Sequence, residues 1–271
     1  MGELSGTGAV LADRAAVVSL PWASFLGWRA GDVRRYETAW GETVRLPAPP
    51  VPGQHEANIG PTGEGKTNYL IPLLKLRKYV MVLDAKGEDP TLDKAGFTRI
   101  SGVPPGRKFP REVQKALDEG RPVRLIVGGA ADSRRQYERL AALMAEALEY
   151  ARFSGGWTIY ADEFEVLSSQ QMFNLARDFN LMLNTARARK TSVITAYQAQ
   201  AWVSKHAIRQ ARIATLWRTG DPDMIKAVAR ALGRNWRHAA DAIDQLPPFT
   251  VLVIPRGANS GPMMITRPPK L

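Results

Sequence analysis

The sequence predicts an α/β fold, a mostly parallel sheet with helices on both faces. From about residue 55 onward, short apolar runs alternate with stretches of helical periodicity. Runs such as Val80-Met81-Val82-Leu83 are apolar without a break, as strands covered on both faces must be. The segments between them are long enough for the right-handed crossovers that parallel strands require. Strands are read at 56–59, 79–83, 123–127, 157–161, 192–197, 213–217 and 250–254, with 262–265 as an edge hairpin partner of the last. Helices are read at 66–78, 111–119, 133–152, 168–187, 205–212 and 222–232. In the fourth helix Phe173, Leu175, Ala176, Phe179, Leu181, Met182 and Leu183 supply a broad apolar face.

The first fifty residues carry little periodicity and are rich in Gly, Pro and Trp. A short strand at 43–46 runs into Pro47, Pro49, Pro50 and Pro52, which end any helix and mark a linker. The chain therefore divides into an N-terminal extension over 1–50, suited to packing, subunit or docking contact, and one domain over 51–271. Hydrophobic residues at 45% of 271 suffice for a single core.

Absent residue types exclude several chemistries. Without cysteine there is no disulfide, thiolate nucleophile, iron–sulfur cluster or thiolate zinc site. His55, His206 and His238 have no metal-ligand spacing. Residues 15–28 form the longest uncharged stretch near the start. Ser19, Pro21, Ser24 and Gly27 interrupt it, and it is shorter than the ~20 apolar residues of a membrane span. The expectation is a cytoplasmic protein with no transmembrane segment of its own.

Gly60-Pro61-Thr62-Gly63-Glu64-Gly65-Lys66-Thr67 matches G-x-x-x-x-G-K-[ST] without a mismatch, between a strand and an apolar-faced helix. Glycines let the backbone curl so that its N–H groups point at phosphate oxygens. The helix start, from Lys66 through Asn68, adds its positive end. Lys66 is placed to reach the outer phosphates and Thr67 to coordinate magnesium, so ATP and Mg2+ are the expected cofactors.

The strand at 157–161 ends in Asp162-Glu163. A carboxylate pair at that point suits ATP hydrolysis, with Asp162 holding magnesium and Glu163 activating water. The plain alternative is a pair of N-cap carboxylates opening the next helix. Glu165 reads as a surface neighbour.

Two further segments carry a family resemblance. Asp84-Ala85-Lys86-Gly87-Glu88 resembles the D-x-K-G-E that follows the second strand in FtsK–HerA-type DNA-translocating ATPases. Arg187 through Gln198 resembles that family's arginine, strand and terminal glutamine. The resemblance covers about residues 43 to 267, with departures at Ala85, where proline is common, and Tyr197, where threonine is common. It implies a RecA-like sheet, a homo-oligomeric and usually hexameric ring, and ATP hydrolysis that drives double-stranded DNA through a pore. It also implies that Gln198 senses the γ-phosphate and that Arg187 is an arginine finger serving a neighbouring subunit, with Arg189 a near competitor. Asp84 would assist the magnesium–water network, and Lys86 would face DNA or a neighbour's nucleotide; either residue equally suits a surface turn.

The net charge of +11 favours an acidic partner. Residues 176–271 hold 15 Lys plus Arg against 5 Asp plus Glu, nearly the whole excess. Lys205, Arg209, Arg212, Arg230, Arg234 and Arg237, with Trp202 and Trp236, are the expected sequence-nonspecific DNA contacts, and helical spacing would set the last three arginines on one face. A solvated face or subunit contacts would use the same charges. The size is similar to that of viral genome-packaging ATPases, which would place the chain in host cytoplasm or a virion and let residues 15–28 meet a capsid-vertex or membrane docking protein. The alternatives are a conjugation-type DNA motor or an assembly or secretion ATPase that does not move DNA.

Overall fold

The computed structural model describes residues 33–34, 53–87, 90–100, 110–198, 204–246, 248–257 and 263–266. The strand expected at 43–46, residues 15–28, Glu88, Trp202 and Pro262 lie outside the described residues. Among the described residues, ten strands form one sheet. In chain order they are β1 (Val33–Arg34), β2 (His55–Ile59), β3 (Tyr79–Asp84), β4 (Thr98–Ile100), β5 (Val123–Gly128), β6 (Trp157–Asp162), β7 (Ser192–Tyr197), β8 (Ala211–Trp217), β9 (Val251–Pro255) and β10 (Met263–Thr266). Their spatial order is β1-β10-β9-β8-β2-β7-β6-β3-β5-β4. The pairings from β8 through β4 are all parallel, whereas β9 is antiparallel to both β8 and β10. The hairpin expected at the C-terminal end is this β9–β10 pair, but it is not the edge, because β1 pairs with β10 on the outer side.

Helices cover both faces, as the unbroken apolar strands require. On one face lie α1 (Lys66–Lys75) and α2 (Pro90–Lys94). There Leu70, Ile71 and Leu74 pack on Val80, Val82, Ile126 and Tyr160. The other face carries α3 (Arg111–Asp118), α4 (Arg134–Ser154), α5 (Phe164–Ser168), α6 (Ala176–Thr185), α7 (Lys205–Gln210), α8 (Pro222–Ala231) and α9 (Trp236–Asp244). Its core joins Met81, Leu83, Ile159 and Val193 to Met144, Leu148, Phe179 and Val228. Ser133 starts α4 with a capping box, its hydroxyl accepting from Gln136 N–H while Gln136 reaches back.

The helix expected over 168–187 is shorter: α5 ends at Ser168, a loop follows, and α6 starts only at Ala176. Asn174 takes a left-handed conformation, φ +55°, and Leu175 N–H turns back to Leu167 C=O at 3.0 Å. Phe173, Leu175, Phe179, Met182 and Leu183 are buried from a loop and a shorter helix rather than from one continuous face, whereas Met172 and Leu181 are exposed. The helix expected over 205–212 ends at Gln210, because Ala211 and Arg212 already belong to β8. A ninth helix, α9, follows a turn where Asn235 caps Arg237 N–H at 3.0 Å. This turn separates Arg230 on α8 from Arg237 on α9, and Arg234 between them is buried with Nε donating to Pro255 C=O at 2.8 Å. The single basic face expected for these three arginines is not formed.

Candidate nucleotide site

Parallel strands end on a common edge, and four adjacent ones, β2, β7, β6 and β3, deliver the candidate site there. The loop Gly60–Thr67 follows β2, Gln198 follows β7, Asp162 ends β6 with Glu163 next, and Lys86 follows β3. With strands ~4.8 Å apart, the four exits span only ~15 Å.

Local packing fixes the loop. Gly60 N–H bonds Tyr197 C=O at 3.1 Å, and a Cβ at Gly60 would lie 2.3 Å from Trp217 Cβ. Gly63 and Gly65 take φ +86° and +96°, conformations that other residues adopt only with strain. Lys66 Nζ donates to Gly60 C=O at 2.6 Å and Pro61 C=O at 2.8 Å. Burial lowers the Lys66 pKa, while the Asp162 and Glu165 carboxylates oppose that shift.

Thr62, Gly63, Gly65, Lys66, Thr67, Asn68, Asp162, Glu163 and Gln198 line one cavity of about 360 Å³. Tyr160 Oη donates to Asp162 Oδ1 at 2.9 Å, which orients this carboxylate. Glu163 occupies the N-cap position of α5 with φ +53°, yet its side chain makes no capping bond. It is 7% exposed and forms an ion pair with Lys86 Nζ. The capping explanation for its presence therefore fails. The donor set suits magnesium: a hydroxyl from Thr67 and a carboxylate from Asp162 face one cavity, leaving positions for phosphate oxygens and water. Among the described residues there is no cluster of three or more acidic or histidine ligands that would hold a metal alone.

Gln198 is tied into this edge. Its Oε1 accepts from Thr62 Oγ1 at 3.0 Å, and its N–H donates to Glu165 Oε1 at 3.2 Å. Glu165 is thus a site residue rather than surface, and burial raises its pKa. Its spacing from Glu163 gave no hint of this, because the turn of α5 sets its direction. A second cavity of about 890 Å³ adjoins the loop, lined by Pro61, Glu64 and Gln198 with Arg218, Asp221 and Asp244. Motif reading had not placed the last three near the phosphates.

Of the two readings open for Asp84, its hydrogen bonds fit the turn. Its Oδ1 accepts from Lys86 N–H at 3.1 Å and Gly87 N–H at 2.9 Å, and its Oδ2 pairs with Arg99 at 2.9 Å. Fully buried and so engaged, it anchors the turn after β3.

Arg187 lies in a 3₁₀ turn over Ala186–Arg189, just before β7, and therefore on the edge opposite the phosphate loop. The six residues of β7 separate the two edges by ~20 Å. The Arg187 side chain is exposed and makes no hydrogen bond or ion pair among the described residues. Arg189 instead donates to Phe153 C=O and lies over the Phe153 ring at 5.6 Å.

These features match a known architecture. The fold is that of a RecA-like P-loop NTPase. The genome packaging NTPase B204 from Sulfolobus turreted icosahedral virus 2, in complex with AMPPCP, is similar over 81% of this chain and 100% of its own, at 15% identity and TM-score 0.56. VirB4 of Thermoanaerobacter pseudethanolicus is similar over 80% of this chain and 89% of its own, at 11% identity and TM-score 0.54. The cytoplasmic domain of the type VII secretion ATPase EccC from Thermomonospora curvata is similar over 92% of this chain, which spans 28% of that one, at 20% identity and TM-score 0.51. The expected likeness to FtsK–HerA-type ATPases thus holds at the level of fold. No family model matches the chain, and no curated protein matches it by sequence. Among the described residues, no helix is long and apolar enough to cross a membrane.

Proposed function

We propose that this chain is a magnesium-dependent ATPase motor that assembles into a ring, usually hexameric in its class, and moves double-stranded DNA, with viral genome packaging as its task. The observation that carries the reading is the single cavity shared by Lys66, Thr67, Asp162, Glu163 and Gln198. In this reading the loop N–H groups from Thr62 through Asn68 cradle ATP phosphates, and Lys66 offsets their charge. Thr67 and Asp162 hold magnesium, which supplies charge neutralisation across the outer phosphates when bound. Glu163 takes the proton of the attacking water, and Gln198 reports the γ-phosphate to the loop through Thr62. Arg187 of a neighbouring subunit completes the site, because ~20 Å of strand keeps a chain's own Arg187 away from it.

The DNA reading is supported by the distribution of charge. Lys205, Arg209 and Arg230 rim one groove of about 730 Å³ between α7 and α8, and they are exposed. The packaging task is supported by the likeness to B204 across that protein's whole chain. ATP hydrolysis measured with and without duplex DNA tests the proposal. DNA should stimulate turnover in the wild-type protein, and Glu163→Gln should lower it at least ~100-fold while ATP still binds. Turnover indifferent to DNA would overturn the DNA motor and favour the secretion-type reading. Replacing Lys205, Arg209 and Arg230 by Ala should flatten the salt dependence of DNA binding by ~0.9 log unit per lost phosphate contact, with nucleotide affinity unchanged.

A further inference from the structure

The proposed mechanism leaves one charged contact in the cavity unused, the ion pair between Lys86 and Glu163. Two pieces of backbone aim these side chains at each other. On the β3 side, Asp84 accepts from both Lys86 N–H and Gly87 N–H and is itself held by Arg99. Gly87 takes φ +78°, and a Cβ there would lie 2.2 Å from the carbonyl carbon of Gly129, so the turn has one way to pack. On the β6 side, the left-handed backbone of Glu163 directs its carboxylate along the edge instead of toward the start of α5. The registered pair Asp84 and Asp162 sets both turns side by side.

The pair is unequal in exposure. The Glu163 side chain is 9% exposed and that of Lys86 is 54% exposed. A lysine ammonium is a rotatable point charge on a long stem, so the Lys86 end can move while its turn stays fixed. Lys86 also lines the cavity that holds Lys66 and Thr67, where a nucleotide's outer phosphates would lie. Two anions, the Glu163 carboxylate and a terminal phosphate, therefore compete for one cation.

Building on the nucleotide-site reading above, we infer that Lys86 is a positioning residue shared between Glu163 and the terminal phosphate of a nucleoside triphosphate. Paired with Lys86, Glu163 is held away from the role of base. A γ-phosphate that draws Lys86 to itself releases the carboxylate toward water. A diphosphate lacks the competing group and leaves the pair closed. The contact thus links base activation to the presence of the third phosphate.

Fluorescence titration with ADP and with ATPγS tests this in the wild-type protein, Lys86→Met, Glu163→Gln and the double variant. Glu163→Gln should tighten ATPγS binding ~10-fold relative to ADP, because the Glu163 carboxylate no longer competes for Lys86. Lys86→Met should bring ATPγS affinity down toward that of ADP, and Glu163→Gln should then have no further effect. Lys86→Arg should retain part of the preference. In urea unfolding without nucleotide, Lys86→Met should destabilise the chain when Glu163 is present and be nearly neutral in the Glu163→Gln background. An equal effect of Glu163→Gln with and without Lys86 overturns the proposal alone. Absence of any nucleotide binding by the wild-type protein overturns the site reading, and this proposal with it.

Discussion

Glu56 and His55 are neighbours on β2, buried beside the helix that follows the phosphate loop and beside α6 respectively, and they titrate with opposite consequences. Burial pushes the Glu56 carboxyl up to about 7, against the pull of Asn58 and Arg77. Burial likewise pushes His55 down to about 4, and its Nδ1 accepts from Val193 N–H at 3.0 Å, a bond only the neutral tautomer makes. Between pH 4.5 and 7 the folded state holds the Glu56 proton that the unfolded chain releases, so this group's contribution is complete below about 4.5 and lost as pH rises through 7. Between pH 4 and 6.5 the unfolded chain takes up a proton that folded His55 refuses, so stability rises with pH there. Over their shared range the two slopes oppose each other. In Glu56→Gln only the histidine slope remains, and the variant should gain on the wild type by up to ~3 kcal/mol between pH 4.5 and 7. Urea unfolding at several pH values reads this directly, and parallel pH profiles for the two proteins would refute it.

At the scale of elements, most strands and the phosphate loop are legible because each depends on neighbours close in sequence, whereas the short β1 and β4 carry no such pattern. Unbroken apolar runs mark β3 and β9, mainly apolar ones mark β5, β6 and β7, and the loop motif states its own geometry. What sequence could not show was set by contacts between distant segments. The break before α6 depends on Leu175 returning to Leu167, and the burial of Arg234 on a carbonyl of β9. Arg256 makes the same point. It looked like one more cation in a basic third of the chain, but it bonds the carbonyls of Ile208 and Arg209 in α7, Ala231 in α8 and Ala211 at the start of β8. Four carbonyls at two helix ends share one guanidinium, which answers the unsatisfied acceptors that every helix terminus leaves. Arg256→Ala should destabilise the fold by ~1.5–3 kcal/mol, seen as a melting point lower by roughly 5 °C, with nucleotide affinity at the far edge unchanged. A surface role on DNA would give the reverse pattern, with stability intact and DNA binding weakened.

For the whole molecule, parallel topology decides what one chain can do alone. Strand ends gather Lys66, Asp162, Glu163 and Gln198 on one edge, and strand beginnings hold Arg187 on the other. Spacing along the sequence suggested an arginine in this stretch but left Arg187 and Arg189 as rivals. Arg189 is engaged with Phe153 whereas Arg187 is exposed, and this supports Arg187 in the reading proposed above. In the proposed ring, a site that receives its arginine only from a second copy should show complementation between two inactive proteins. Arg187→Ala keeps an intact Glu163 but donates no finger, and Glu163→Gln donates a finger but cannot activate water. Arg187→Ala alone should lose ~1,000-fold in hydrolysis with nucleotide binding preserved. Mixed in equal amounts and assembled at random, the two variants should recover about a quarter of wild-type activity, because one interface in four pairs a sound base with a sound finger. A mixture that co-assembles by size-exclusion chromatography yet hydrolyses no faster than its parts would place the arginine's role within a single subunit and refute the shared site.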